Sequence, residues 1–218
     1  MCWNSDISIN TFVFSCLTLV FIYFTNTYTK YKTPFFDNPL VYVFILSVVS
    51  MQLIEFFLWR NLKNKKINNY LSQLASVLIV LQPFFLMLLI PILKIRYAMV
   101  SFYLLFMSAC LIYKKIYHPI NFHTSVESNG HLAWDFLSHK GYEYIFDIGY
   151  LLFYIIPIFI INHILIYAFL IPSFLISIFY FKYNTFGSMW CWISNLFLLY
   201  FIVNILLIQP YYEYKGLC

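Results

Sequence analysis

Charge is scarce in this 218-residue chain: Asp, Glu, Lys and Arg make up 10% of it, against about 25% in soluble domains. That shortage excludes an ordinary soluble core. Close cysteine pairs are missing as well. Cys2, Cys16, Cys110, Cys191 and Cys218 form no CxxC, which argues against a disulfide framework and a thiolate zinc site. Cys16 and Cys110 sit in apolar runs, where a thiol acts as a small hydrophobe. The opening MCWNSDIS has no basic n-region, so a cleavable signal peptide is not expected and the first span is expected to stay as a signal anchor. No N-x-[ST] sequon occurs, so glycosylation gives no orientation clue, and no HExxH marks a zinc peptidase. Basic residues lie in short clusters between apolar runs, as in the loops of a membrane protein, and nucleic-acid binding is not expected.

What is abundant is hydrocarbon: 63% of residues are hydrophobic and 23% aromatic. The expected fold is all-α, a polytopic membrane helix bundle forming one domain over 1–218, with seven transmembrane helices and a short interfacial helix near 131–139. The spans fall at about 7–28, 40–59, 70–90, 97–113, 144–161, 164–181 and 189–208. Asn4, Ser5 or Asp6 suits the cap of the first, and Pro83 should kink the third. Residues 144–181 are nearly unbroken apolar sequence, about 55 Å as one helix against a core of about 30 Å. The split therefore falls at Asn162-His163. Gln209-Pro210 should end the last span, leaving a Tyr-rich tail.

Seven spans place Arg60, Lys63, Lys65, Lys66, Lys114, Lys115, Lys140 and Lys182 on the N-terminal side, and Lys30, Lys32, Lys94, Arg96 and Lys215 opposite. Eight against five favours an integral membrane protein with a cytoplasmic N-terminus. The same alternation gathers Gln52, Glu55, Gln73, Ser76, His118, Asp147 and Asn195 on the N-terminal side, leaving little but Asn204 and Gln209 opposite. One half of the bundle should be wet and the other dry. Glu55 is the sharpest residue, because a charge at a helix centre costs about 2.5–3.5 kcal/mol on insertion scales. It shares a face with Gln52. A bland alternative has Glu55 snorkelling or pairing with Arg60 or a loop lysine. Asp147 has its own, as an anion at the N-terminal end of a helix.

The stretch His118–Asp147 holds four of the five histidines and four of the eight acidic residues. Within it, His131, Asp135 and His139 recur at i+4, which on a helix would put them on one face. Asn129-Gly130 would open that interfacial helix and Gly141 would stop it. Its polar face is then either simply wet or a His131/Asp135/His139 metal site. All five tryptophans fall near span ends on the N-terminal side, which an interfacial aromatic belt explains.

The MCW start, the QLIEFFLW segment with Gln52, Glu55 and Trp59, and the NGHLAW and MWCW segments resemble a poorly characterised family of small seven-span proteins from large DNA viruses and unicellular eukaryotes. The resemblance implies architecture and no assigned activity. A retinal opsin would need a lysine in the last span, and Met189–Ile208 has none.

Three functions follow as expectations. The first is a binding or transport module for a small molecule or a cation, its polar cavity lined by Gln52, Glu55, Gln82, Asp147 and Asn195. The second is a membrane-embedded metal-dependent lipid hydrolase using His131, Asp135 and His139. The third is a membrane scaffold or assembly protein without a small-molecule site. The lipid bilayer is the partner common to all three, and composition names no cofactor and no oligomeric state.

Overall fold

The computed structural model describes residues 4–117, 120–137, 144–161, 164–180 and 184–216. Helix α1 spans Ser5–Tyr28. Asn4 caps it, its side chain accepting from the Asp6 and Ile7 amides at 3.0 and 3.1 Å, and Asp6 places an anion in the first turn where the helix dipole favours it. The following loop is pinned by Asn26, which donates to the Thr33 carbonyl and accepts from its amide. A 3-10 turn, Pro34–Asp37, then tucks Phe35 and Phe36 into the core. Asn38 caps α2 (Pro39–Arg60), which has proline at its first position, where a missing N–H costs nothing.

Helix α2 is the axis of the bundle, packing against α1, the next helix over Lys65–Met87 and the later one over Phe186–Ser194. Asn64 caps α3 (Lys65–Met87), so that helix starts five residues before the apolar run expected from residue 70. Helix α4 (Leu93–Tyr117) buries only Tyr103 and Cys110 and ends on Lys114 and Lys115. It is the most exposed of the long helices.

Pro83 removes the amide that would bond the Ile79 carbonyl. In hydrocarbon such an orphan must be satisfied from elsewhere. The Tyr150 hydroxyl does so, donating to the Ile79 oxygen at 2.8 Å, and the Tyr103 hydroxyl donates to the adjacent Val80 carbonyl. The carbonyls exposed at Pro83 are thus closed by tyrosines from two other helices.

Helices α5 (Tyr144–Ile161) and α6 (Ile164–Ile178) carry internal Pro157 and Pro172. Their 18 and 15 residues rise only roughly 27 and 22 Å. The last stretch is longer. Helix α7 (Phe186–Ser194) and α8 (Leu196–Val203) meet at Asn195, and a π turn over Asn204–Ile208 leads into α9 (Gln209–Tyr214). Gln209-Pro210 therefore does not end the helix. The widened turn accommodates a proline that would otherwise clash with the carbonyl four residues back.

Among the described residues, five stretches are long and apolar enough to cross a membrane, Ser5–Tyr28, Pro39–Arg60, Lys65–Met87, Leu93–Tyr117 and Phe186–Tyr214. The all-α bundle expected from composition is the fold, with five helices of membrane length and a shorter pair.

Over the described residues 131–137 the expected interfacial helix does not form. Thr124–Val126 (β1) and Leu132–Trp134 (β2) form an antiparallel hairpin, Thr124 opposite Trp134, followed by a 3-10 turn over Asp135–Leu137. Residues 138–143, with His139, lie outside the described residues. The reason is Asn129-Gly130. Gly130 has φ 78°, its amide donates to the Glu127 carbonyl, and the Glu127 amide donates to His131. That is a three-residue hairpin loop with glycine in the left-handed position, where the same pair had suggested the start of a helix.

Candidate functional site

The hairpin sits on the N-terminal side of the bundle and is bolted to two helices. Asn68 in α3 donates to the Thr124 carbonyl and accepts from its amide, both at 2.9 Å, and the Ser72 and Thr124 hydroxyls are 2.7 Å apart. Asn69 donates to the Phe122 carbonyl, and Asn129 donates to the Thr185 hydroxyl just before α7. Trp134, 2% exposed, goes down like a plug among Met51, Ile54, Leu58, Leu71 and Ala75.

Beneath the hairpin lies a void of about 10 Å³ whose walls include Ser8, Gln52, Glu55, His131 and Ser188, with room for about one water molecule. Gln52 is fully buried and Glu55 is 3% exposed. Both side-chain amide atoms of Gln52 and the Oε1 of Glu55 are buried with no hydrogen-bond partner among the described residues. The Gln52 amide and Ser188 hydroxyl approach the Glu55 carboxyl without completing a bond of normal geometry to Oε1. Arg60 does not pair with Glu55; its guanidinium lies over the Phe56 ring, 4.5 Å from the centroid. Burial holds the His131 imidazole below its ordinary pKa, so at neutral pH it adds no positive charge beside the carboxyl.

A second and larger cavity, about 330 Å³, lies between α2, α5, α6 and the α7–α8 junction. Helix α6 packs chiefly on α7, which leaves the space towards α2 unfilled. Phe44, Val48, Leu170, Ile176 and Leu198 give it apolar walls. Ile176 and Leu196, about half exposed at 49% and 48%, also line it, so it communicates with the hydrocarbon-facing surface. Its polar groups are already engaged. Gln82 donates to the Ser47 carbonyl and accepts from Tyr154 at 2.7 Å. Asn195 donates to the Cys191 carbonyl and accepts from Ser15 at 3.0 Å. Ser173 accepts from the Trp190 indole.

The structure therefore divides the residues expected to share one polar cavity. Gln52 and Glu55 line the small void; Gln82 and Asn195 line the large one. Asp147 lies in the first turns of α5, with its side chain outside the described residues. The expected metal set loses its geometric basis, since residues 131–135 are not helical. Asp135 instead accepts from Asn121 at 2.9 Å and lies 3.5 Å from the His123 imidazole. Among the described residues no three His, Cys, Asp or Glu side chains gather as a metal site.

Sequence reasoning passed over Ser8 and Ser188, which close the small void, and Tyr154 and Ser173 in the large one. One signal was available. Thr11 and Ser15 stand one turn apart on α1, facing Trp192 and Asn195 on the last helix, and both cross-pairs are bonded.

These helices, with polar groups inside and hydrocarbon outside, fit a multi-pass membrane protein. No family model, no curated protein and no solved structure matches the chain.

Proposed function

We propose that the protein is a membrane-embedded binding module for a small apolar or amphiphilic molecule drawn from the bilayer. The observation that carries this is the 330 Å³ cavity. Its size is in the range of ligand sites, and its walls are apolar with a few fixed polar groups. Because those groups already bond one another, they shape the pocket and offer little to an ion. The exposed Ile176 and Leu196 at its edge let a lipid-soluble ligand enter sideways without crossing water.

In this proposal the N-terminus is cytoplasmic. The connections among α1–α4 alone put Arg60, Lys63, Lys65, Lys66, Lys114 and Lys115 on its side and Lys30, Lys32, Lys94 and Arg96 opposite, which is six against four. The bond from Asn129 to Thr185 supports a start for α7 on the side where α4 ends. Helices α5 and α6 are thus an out-and-back pair, and seven crossings follow if they reach the far leaflet.

The test is binding of spin-labelled stearic acid to the purified full chain in detergent. An immobilised component is expected in the native protein and its loss in Val48→Trp, which fills the cavity. Equal immobilisation in both, or none in either, defeats the proposal.

A further inference from the structure

The small void makes a separate case, independent of the apolar cavity. Buried polar side chains nearly always find partners, and those that do not call for an explanation. Gln52 and Glu55 are more than nine-tenths buried, line the same void, and leave three side-chain atoms unpartnered there among the described residues. Chance does not readily place a carboxyl and an unbonded amide one helical turn apart on the most buried helix of a membrane bundle.

The chemistry of the walls selects an occupant. Glu55, Gln52, Ser8 and Ser188 offer oxygen, which suits hard cations rather than soft ones. One carboxylate neutralises one positive charge. A divalent ion would leave net charge in hydrocarbon, at a cost that buried sites do not tolerate. No Lys or Arg pairs with Glu55 among the described residues, and the void admits a single small occupant. We infer that Glu55, Gln52, Ser8 and Ser188 form a site for one monovalent alkali cation of sodium size, closed from above by the 124–134 hairpin. His131, on the hairpin side of the void, is the residue through which the hairpin meets the site.

The experiment is thermal unfolding of the purified full chain in neutral detergent, with NaCl exchanged for choline chloride at constant ionic strength and pH. Sodium should raise Tm saturably, by roughly 5–10 °C at about a hundredfold excess over Kd, and Glu55→Gln should abolish the response. Should Glu55→Gln not fold, Ser188→Ala keeps the carboxylate and should shift the half-saturating sodium concentration about tenfold upward, the effect of roughly 1.4 kcal/mol. Equal Tm in sodium and choline overturns the inference, as does a sodium response that survives in the variant. A larger response to calcium or magnesium at the same pH also overturns it.

Discussion

Two polar clusters inside the same bundle differ in one respect. Around Pro83, Gln82, Tyr154 and Tyr150 are bonded to one another or to backbone carbonyls. Under the hairpin, Gln52, Glu55 and Trp134 hold four of the six buried side-chain atoms left without partners among the described residues. The first cluster is complete, because a proline exposed a carbonyl and tyrosines closed it. The second is incomplete and wraps a void. In a low-dielectric interior a satisfied network fixes structure, while an unsatisfied one is costly unless something else completes it.

Substitutions can break or sharpen this contrast. Trp134→Ala withdraws the plug that seats the hairpin and should cost about 3–5 kcal/mol, read by denaturant unfolding in detergent. A smaller loss would mean that the Asn68–Thr124 bonds hold the hairpin unaided. Gln82→Leu strands the Tyr154 hydroxyl and should cost about 1–3 kcal/mol. Gln52→Leu is the decisive counterpart. With sodium replaced by choline it should be neutral or mildly stabilising, within about 1 kcal/mol, because no bond is lost. If Gln52→Leu proves as costly as Gln82→Leu, the two clusters are alike and the contrast fails.

Acid should act on the capped end. Burial lowers the pKa of His131 from 6.5, so below that value the unfolded chain binds more protons and stability falls as pH falls. Asp135 runs the other way: burial raises its pKa above 3.8, so its contribution is present in acid and is lost as pH rises. From pH 7.5 to 5.5 the His131 effect should dominate. Hairpin amide protection, corrected for intrinsic exchange, should drop over that range and be flat in His131→Gln. The smallest effect is expected at the far end. Lys30, exposed and bonded with Tyr31 to Glu213, should be replaceable by Ala with no measurable change in Tm, as exposed ion pairs usually are.

Much of this was legible beforehand. Composition announced a helical bundle of membrane character, and Asn4 was readable as a cap. The hairpin was not, because its strands are three residues long and Asn129-Gly130 suits either a hairpin or a helix start. Pairing Asn68 with Thr124 crosses 56 residues, beyond any local periodicity. The alternation of helices placed Gln52, Glu55 and Asn195 on one side, but the division into two cavities depends on how far α6 stands from α2. That distance is set by side-chain packing and has no signature in the order of residues.

The π turn at Asn204–Ile208 does more than accommodate Pro210. It inserts the equivalent of one extra residue into the last helix, turning everything after it by about 100°. That phase offset brings Glu213 round to Lys30 and Tyr31. Deleting Leu206 would remove that offset, press Pro210 against the carbonyl four residues before it, and swing the Glu213 carboxylate away from the α1–α2 loop.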